Sequence, residues 1–380
     1  MPFQGVSAVE QRRLFVEAAR AEGSNIRELC RAFGISPTTG HKWLGRVKAS
    51  GPSGLCEQPR RPHRSPRRTP SAVEREVIEI RREHPCWGGR KIHHVLRHRG
   101  VSPLPHPNTI TDILHRHGLI AAEASAKRRP FQRFERAQPN ELWQMDFKGH
   151  FPVGAGRCHP LTVVDDHSRF AVALVACPDE RRASVQPALT EAFRHYGLPE
   201  GILVDNGPPW GKDSEHRHTK LTAWLMQLGV AAHHGRPYHP QTRGKNERFN
   251  GTLQLEVIAG KSFADLAQLQ ARFDAWRHVY NHERPHQAIG DEPPASRFRG
   301  SPRPFPDSLP PIIYGPDCRV RRVQRDGRIS FMNRALFVSN AFAGQPIGLR
   351  PTARDGVFEI LFCAFRVGLL DLTQRHDQEV

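Results

Sequence analysis

The feature that most limits the fold of this chain is a change of hydrophobic rhythm near residue 142. Before it, apolar residues cluster at helical spacing; after it, strand-like runs alternate with helical stretches. The runs "LWQMDFKGHF", "LTVVDD" and "RFAVALVAC" follow one another and are expected to pair as antiparallel neighbours. A helix over 181–196, a strand at "GILVDN", a helix near 217–228, a strand at "VAAHH" and helices at about 243–258 and 264–281 follow. That order predicts an α/β core over 138–300, a mixed five-stranded sheet with helices packed on it. With 380 residues the chain has room for two or three domains.

Charge separates the parts. Residues 1–140 hold 26 Lys and Arg against 12 Asp and Glu, whereas the remainder holds 30 against 26. Most of the net charge of +18 therefore sits in the first third, as in a polyanion-binding arm on a nearly balanced body, with nucleic acid the first candidate partner. No apolar run is long enough to be a signal peptide or to span a bilayer, so a soluble, cytoplasmic, nucleoid-associated protein is expected. The seven cysteines are scattered singly, and the 22 histidines include neighbouring pairs at His93 and His233 with no zinc-enzyme signature. Neither a disulfide framework nor a cysteine-based zinc site is expected.

Residues 1–50 read as a helix-turn-helix domain. In "SNIRELCRAFGISPTTGHKWLGRV", Ile26, Leu29, Cys30 and Phe33 are helix-spaced behind Ser24, placed as an N-cap; Ser36 caps a second helix that opens on Pro37. Trp43, Leu44 and Val47 can pack inward, which leaves Thr38, Thr39, His41, Lys42 and Arg46 to meet DNA. Residues 51–70 read as a Pro/Arg-rich linker that cannot pack, its Arg60, Arg61, Arg64, Arg67 and Arg68 able to lie along phosphates. Three helical stretches in 71–125 suggest a second small DNA-binding module, or else a spacer or dimerisation bundle. Over 308–374, "CRVRRVQRDGRISF" and "IGLRPTARDGVFEILF" each place Asp-Gly between alternating segments, which predicts two hairpins in a small β-barrel or sandwich.

Within the core, three acids draw notice. Asp146 lies mid-strand among apolar residues, where an ionised group is costly without a cation or partner. Asp205 ends the fourth strand, followed by Asn206 and Gly207, and Glu247 opens a helix whose Phe249, Leu253 and Val257 can face the sheet while Lys245 and Arg248 face outward. Carboxylates from two strands and one helix can converge on a hard divalent cation such as Mg²⁺. "VVDDHSRF" supplies Asp165 and Asp166 as well, at a turn where backbone reasons suffice. Of His233 and His234, at most one can point at the site. "YHPQTRGK" reads as a basic loop over phosphates, with Gln241, Arg243 and Lys245 as DNA contacts, and "YNHERPHQAI" as a helix end that stabilises the core.

These stretches together resemble the DDE class of insertion-sequence transposases, in the retroviral-integrase superfamily with its ribonuclease H-like core. The residues that carry the likeness are "ELWQMDF", "VDNG", "RPYHPQTRGKNERFNGTL" and "VYNHERPHQAIGDEPP", over roughly 140–295. The resemblance implies that Asp146, Asp205 and Glu247 form the catalytic, metal-binding triad. It further implies two Mg²⁺ ions, for which Mn²⁺ can substitute, double-stranded DNA as substrate in the form of terminal inverted repeats and target, and a dimer or tetramer. The 41 residues between Asp205 and Glu247 exceed the family's usual spacing, the excess falling at "GKDSEHRHTK", and no His/Cys zinc module of the retroviral kind is present. A silent DNA-binding regulator, or a nuclease of the same fold acting on RNA–DNA hybrids, are the competing readings.

Overall fold

Local capping chemistry sets the first helices of the computed structural model, which describes residues 7–57, 68–120, 135–205, 207–211, 218–234 and 244–373. α1 (Ala8–Ala19) starts at Ser7, whose hydroxyl accepts from the Glu10 amide. This helix was not anticipated from periodicity. α2 (Ile26–Ala32) is capped by Asn25 rather than Ser24, whose hydroxyl instead donates back to the Ala19 carbonyl. α3 (Pro37–Ser50) begins as expected, with Ser36 as cap and Pro37 in its first turn.

Phe15, Val16, Cys30, Trp43, Val47 and Leu55 form the core of this module. The close approach of α3 requires Gly40: a Cβ there would lie 2.5 Å from Cys30 Sγ and 2.8 Å from the Phe15 ring. Residues 51–55, expected to start the linker, instead form a 3-10 turn. Leu55 is buried, and the Arg12 guanidinium donates to its carbonyl. Met1–Arg68 is one compact unit and Thr69–Val380 another.

The second unit opens with α4 (Ser71–Glu83), α5 (Gly89–His98) and α6 (Pro107–Arg116), packed around Val77, Ile80, Trp87, Ile92, Leu96, Ile110, Ile113 and Leu114. These helices rest on the α/β core: Val279 packs against their apolar centre, and the Cys86 thiol donates to the Leu255 carbonyl.

Next come β1 (Trp143–Phe147), β2 (Phe151–Val153), β3 (Gly156–Asp165), β4 (Ala171–Cys177), α7 (Arg182–Tyr196), β5 (Gly201–Val204), α8 (Lys220–Gln227), β6 (Ala231–His234), α9 (Gly244–Leu253) and α10 (Leu266–His282). The sheet runs β4-β3-β1-β5-β6, with β1–β3 and β3–β4 antiparallel and β1–β5 and β5–β6 parallel. The short β2, not anticipated, folds back on the start of β3. Side-chain alternation divides the core into two layers. Trp143, Met145, Ile202 and Val204 pack with Val185, Leu189 and Phe193 of α7 and Leu221 and Leu225 of α8. Val164, Ala171 and Leu174 pack on the other face with Phe249 and Leu253 of α9 and Phe273, Trp276 and Tyr280 of α10.

The C-terminal part contains β7 (Arg319–Arg322), β8 (Arg328–Phe331), β9 (Arg334–Phe337), β10 (Pro346–Pro351), β11 (Val357–Phe362) and β12 (Phe365–Asp371). They form two open sheets, β12-β11-β10-β7 and β8-β9, rather than a closed barrel. The second expected hairpin exists, as β10–β11. The first does not: Asp326–Gly327 turns the chain, with the Gln324 amide bonded to the Arg328 carbonyl, but β7 then pairs with β10 and β8 with β9. The hairpin that forms, β8–β9, turns at Met332 and Asn333. Both have positive φ, of 47° and 58°, the geometry of a turn matched to strand twist. Ala223 and Met226 of α8 join the core of this β domain.

Candidate active site

Asp146 lies on β1 between Met145, which packs into the α7–α8 layer, and Phe147. Alternation therefore turns Asp146 toward the layer that holds α9. It is half-buried there, and the Asn250 side-chain amide donates to its Oδ2 at 3.3 Å. Its backbone is held from the other side, where the Thr162 hydroxyl donates to the Asp146 carbonyl at 3.0 Å.

Asp205 follows β5 directly. Trp143 stands opposite Ile202 and Gln144 opposite Leu203, so the same register continued brings Asp146 level with Asp205 on the neighbouring parallel strand. Since Val204 belongs to the α7–α8 layer, Asp205 takes the opposite face, shared with Asp146. The Gly207 amide donates to its Oδ1 at 3.1 Å, and His234 Nδ1 lies 3.1 Å from its carbonyl. His233 is exposed at the same strand end, so one histidine of the pair approaches the site.

Glu247 stands in the first turn of α9 and is exposed. A carboxylate there is favoured by the helix dipole. Phe249 and Leu253 fix the helix on the sheet, and Asn250, one turn beyond Glu247 on the same side, is the residue that reaches Asp146. The three carboxylates do not draw within 4.8 Å of one another. Among the described residues, the trio of metal-capable side chains gathered that tightly is His94, His98 and Glu292.

Lys245 corrects an expectation. Rather than facing outward toward DNA, it is largely buried, its ammonium 2.5 Å from Asp166 Oδ1 and 3.2 Å from the Asp166 carbonyl. Burial, with Arg169 adding to it, pushes its pKa down to about 8 although Asp166 opposes the shift. The reason is tertiary: Asp166 is fully buried and also accepts from the Gln144 amide and the Arg136 backbone, and the cation completes its shell. Asp165 is structural in the same way, bonded to Ser168 and the Asn140 backbone. Arg248 is exposed.

On α3, Thr38, His41 and Lys42 are exposed, while the Thr39 hydroxyl engages Ser36. Lys42 and Arg46 lie 4.9 and 5.0 Å from the Trp43 ring, and Arg12 of α1, not anticipated, lies over the same ring at 4.0 Å. Arg68 is exposed; Arg60, Arg61, Arg64, Arg67, Asn206, Gln241 and Arg243 lie outside the described residues. "YNHERPHQAI" is structural: Arg284 pairs with Glu256, Asn281 bonds the Ala171 backbone through both amide atoms, and His286 is buried. Asn250 was missed from sequence because an amide one turn beyond an acid carries no signal of its own.

A mixed sheet with acids at the adjoining ends of parallel strands, preceded by a helix-turn-helix module, defines the class of integrase-core proteins that bind DNA. Residues 136–240 and 228–294 match integrase core domains, 11–63 a helix-turn-helix domain, 39–114 a homeodomain-like domain, and 318–378 the C-terminal domain of IS481 family transposases. The chain is 30% identical over 220 residues to a 31.7 kDa protein of insertion element IS407 from Burkholderia multivorans, covering 56% of this chain and 76% of that one. It is 28% identical over 259 residues to a 39.2 kDa protein of IS476 from Xanthomonas euvesicatoria, covering 67% and 72%. The chain belongs to the DDE-type insertion-sequence transposases. Retroviral integrase structures align more loosely. A simian T-cell lymphotropic virus intasome matches 78% of this chain and 96% of its own at 16% identity and TM-score 0.38, and the HTLV-2 integrase core with magnesium 42% and 97% at 16% and 0.32. No helix among the described residues is long and apolar enough to cross a membrane.

Proposed function

We propose that this chain binds the terminal inverted repeats of its element and catalyses Mg²⁺-dependent cleavage at the 3′ ends and strand transfer into target DNA. Asp146, Asp205 and Glu247 are the catalytic and metal-holding residues. The single observation that supports this most is the β1–β5 register, whose continuation beyond the Gln144–Leu203 pair would bring Asp146 level with Asp205. Their oxygen-only donor chemistry suits hard cations, two Mg²⁺ with Mn²⁺ as substitute. When bound, such ions supply Lewis acidity to an in-line displacement at a phosphodiester.

The chain's own groups do the rest. The Asn250 amide holds Asp146 Oδ2, the Gly207 amide holds Asp205 Oδ1, and Glu247 stands exposed in the first turn of α9, the helix that carries Asn250. Exposed Arg248, with Gln241 and Arg243, meets the donor-end phosphates; Thr38, His41, Lys42 and the linker arginines hold the repeat. Two ends must be joined, so the acting form is a dimer or tetramer.

Asp205→Asn is the test. It should abolish Mg²⁺-dependent joining of labelled element ends while end binding in a mobility-shift assay stays at the wild-type level. Wild-type joining by that variant would remove Asp205 from the site, and no joining by the wild-type protein would favour a silent DNA-binding regulator.

A further inference from the structure

We propose that His94, His98 and Glu292 form a binding site for a divalent transition ion, zinc foremost, which fastens the α4–α6 module to the catalytic core. One ligand atom from each of the three lies within 4.8 Å of the others. His94 and His98 are four apart on α5, so they share a helix face, and their ring centroids are 4.3 Å apart. Glu292 comes from the core. It is presented by a loop closed on itself, with the His286 amide bonded to the Glu292 carbonyl, the Asp291 amide bonded to the His286 carbonyl, and Gly290 and Asp291 both at positive φ. Its Oε2 lies 3.7 Å from His98 Nε2.

A second observation points to a ligand. His94 is 4% exposed, and its Nε2 is buried with no hydrogen-bond partner. An orphaned ring nitrogen of that kind costs free energy that a bound partner would recover. The ring is reached from solvent by a cleft of about 310 Å³, lined by Arg90, His93, Arg97, Gln287 and Asp291. Two imidazoles and one carboxylate, with an open fourth position, are the donor set of borderline ions such as Zn²⁺ rather than of Mg²⁺.

Arg97 explains how the cluster is tolerated without a metal. Its guanidinium Nη2 lies 3.2 Å from His94 Nδ1 and 3.4 Å from Glu292 Oε1; it can only donate to Nδ1, which keeps the ring proton on Nε2, the nitrogen an ion would take. Its side chain is half exposed and can swing out. A metal on Nε2 needs that proton moved to Nδ1 and the Glu292 carboxylate freed, so metal and guanidinium exclude each other. The site joins residues separated by almost two hundred positions, so occupation stiffens the seat of α5 on the core and with it the reach of the module toward the carboxylates.

Zinc chloride titrated into the metal-stripped full-length protein is the experiment, read by calorimetry and thermal unfolding. The wild type should bind one tight equivalent and unfold at higher temperature when loaded. His98→Gln alters an exposed side chain and Glu292→Gln a half-buried one of the same shape, and both should leave the fold intact; each should weaken that equivalent by at least about tenfold, the low end of what even outer partners of a ligand cost, and remove the thermal shift. Arg97→Gln should tighten binding, because the competing cation is gone. Wild-type affinity in both His98→Gln and Glu292→Gln, weaker binding in Arg97→Gln, or no tight equivalent in the wild type would each overturn the proposal.

Discussion

Lys245 and Asp166 form a 2.5 Å ion pair in which the carboxylate is fully buried and the lysine side chain is 15% exposed. This contact ties the start of α9, and so Glu247, to the turn between β3 and β4. Arg248, three residues further along the helix, is exposed.

Lys245→Met should therefore act on stability. It leaves Asp166 with two neutral donors and no cation, a loss on the order of 3 kcal/mol for a broken buried pair, read as lost hydrogen-exchange protection in α9. Arg248→Ala should leave stability unchanged, weaken end binding, and lower the salt slope of log K by about 0.9 if it holds one phosphate. A lower salt slope in Lys245→Met at unchanged stability would reverse the assignment.

Asn250→Ala removes the amide that orients Asp146 Oδ2. A hydrogen bond to a charged acceptor is worth about 1.5–3 kcal/mol, so single-turnover end joining should slow by about tenfold or more while end binding is retained. Joining at the wild-type rate would mean that Asp146 is held adequately without it.

His286 supplies a pH dependence. Burial, and then Arg284, hold its pKa down to about 3 from 6.5. The unfolded chain thus takes up a proton that the folded chain refuses between those values, so stability falls as pH drops below 6.5 and levels off near 3. The cost is on the order of 2 kcal/mol by pH 5. His286→Gln should flatten that limb of the Tm–pH curve, and an unchanged limb would show that the histidine is solvated.

Gly40→Ala places a methyl group against Cys30 and Phe15 in the helix-turn-helix module. Overpacking of this kind costs about 1–3 kcal/mol. Hydrogen exchange should accelerate across α1–α3 alone, with end binding reduced and the core's protection unaltered; protection unchanged in α1–α3 would show that the module yields to the extra group.

The succession of core strands and helices, the Ser36 cap and the siting of Asp205 at a strand end were legible because each depends on residues within one or two turns of one another. Periodicity and capping are local physics. The choice between Ser24 and Asn25 as cap shows the limit even there, since adjacent polar residues offer the same chemistry.

Partner choice was decided only by the tertiary structure. Lys245 turned inward because a buried carboxylate 79 positions away lacked a cation. β7 left its Asp-Gly turn to pair with β10, and α5 met Glu292 across 195 positions. A sequence specifies what each side chain can bond; burial of the alternatives determines which bond it makes, and burial exists only once the layers have packed.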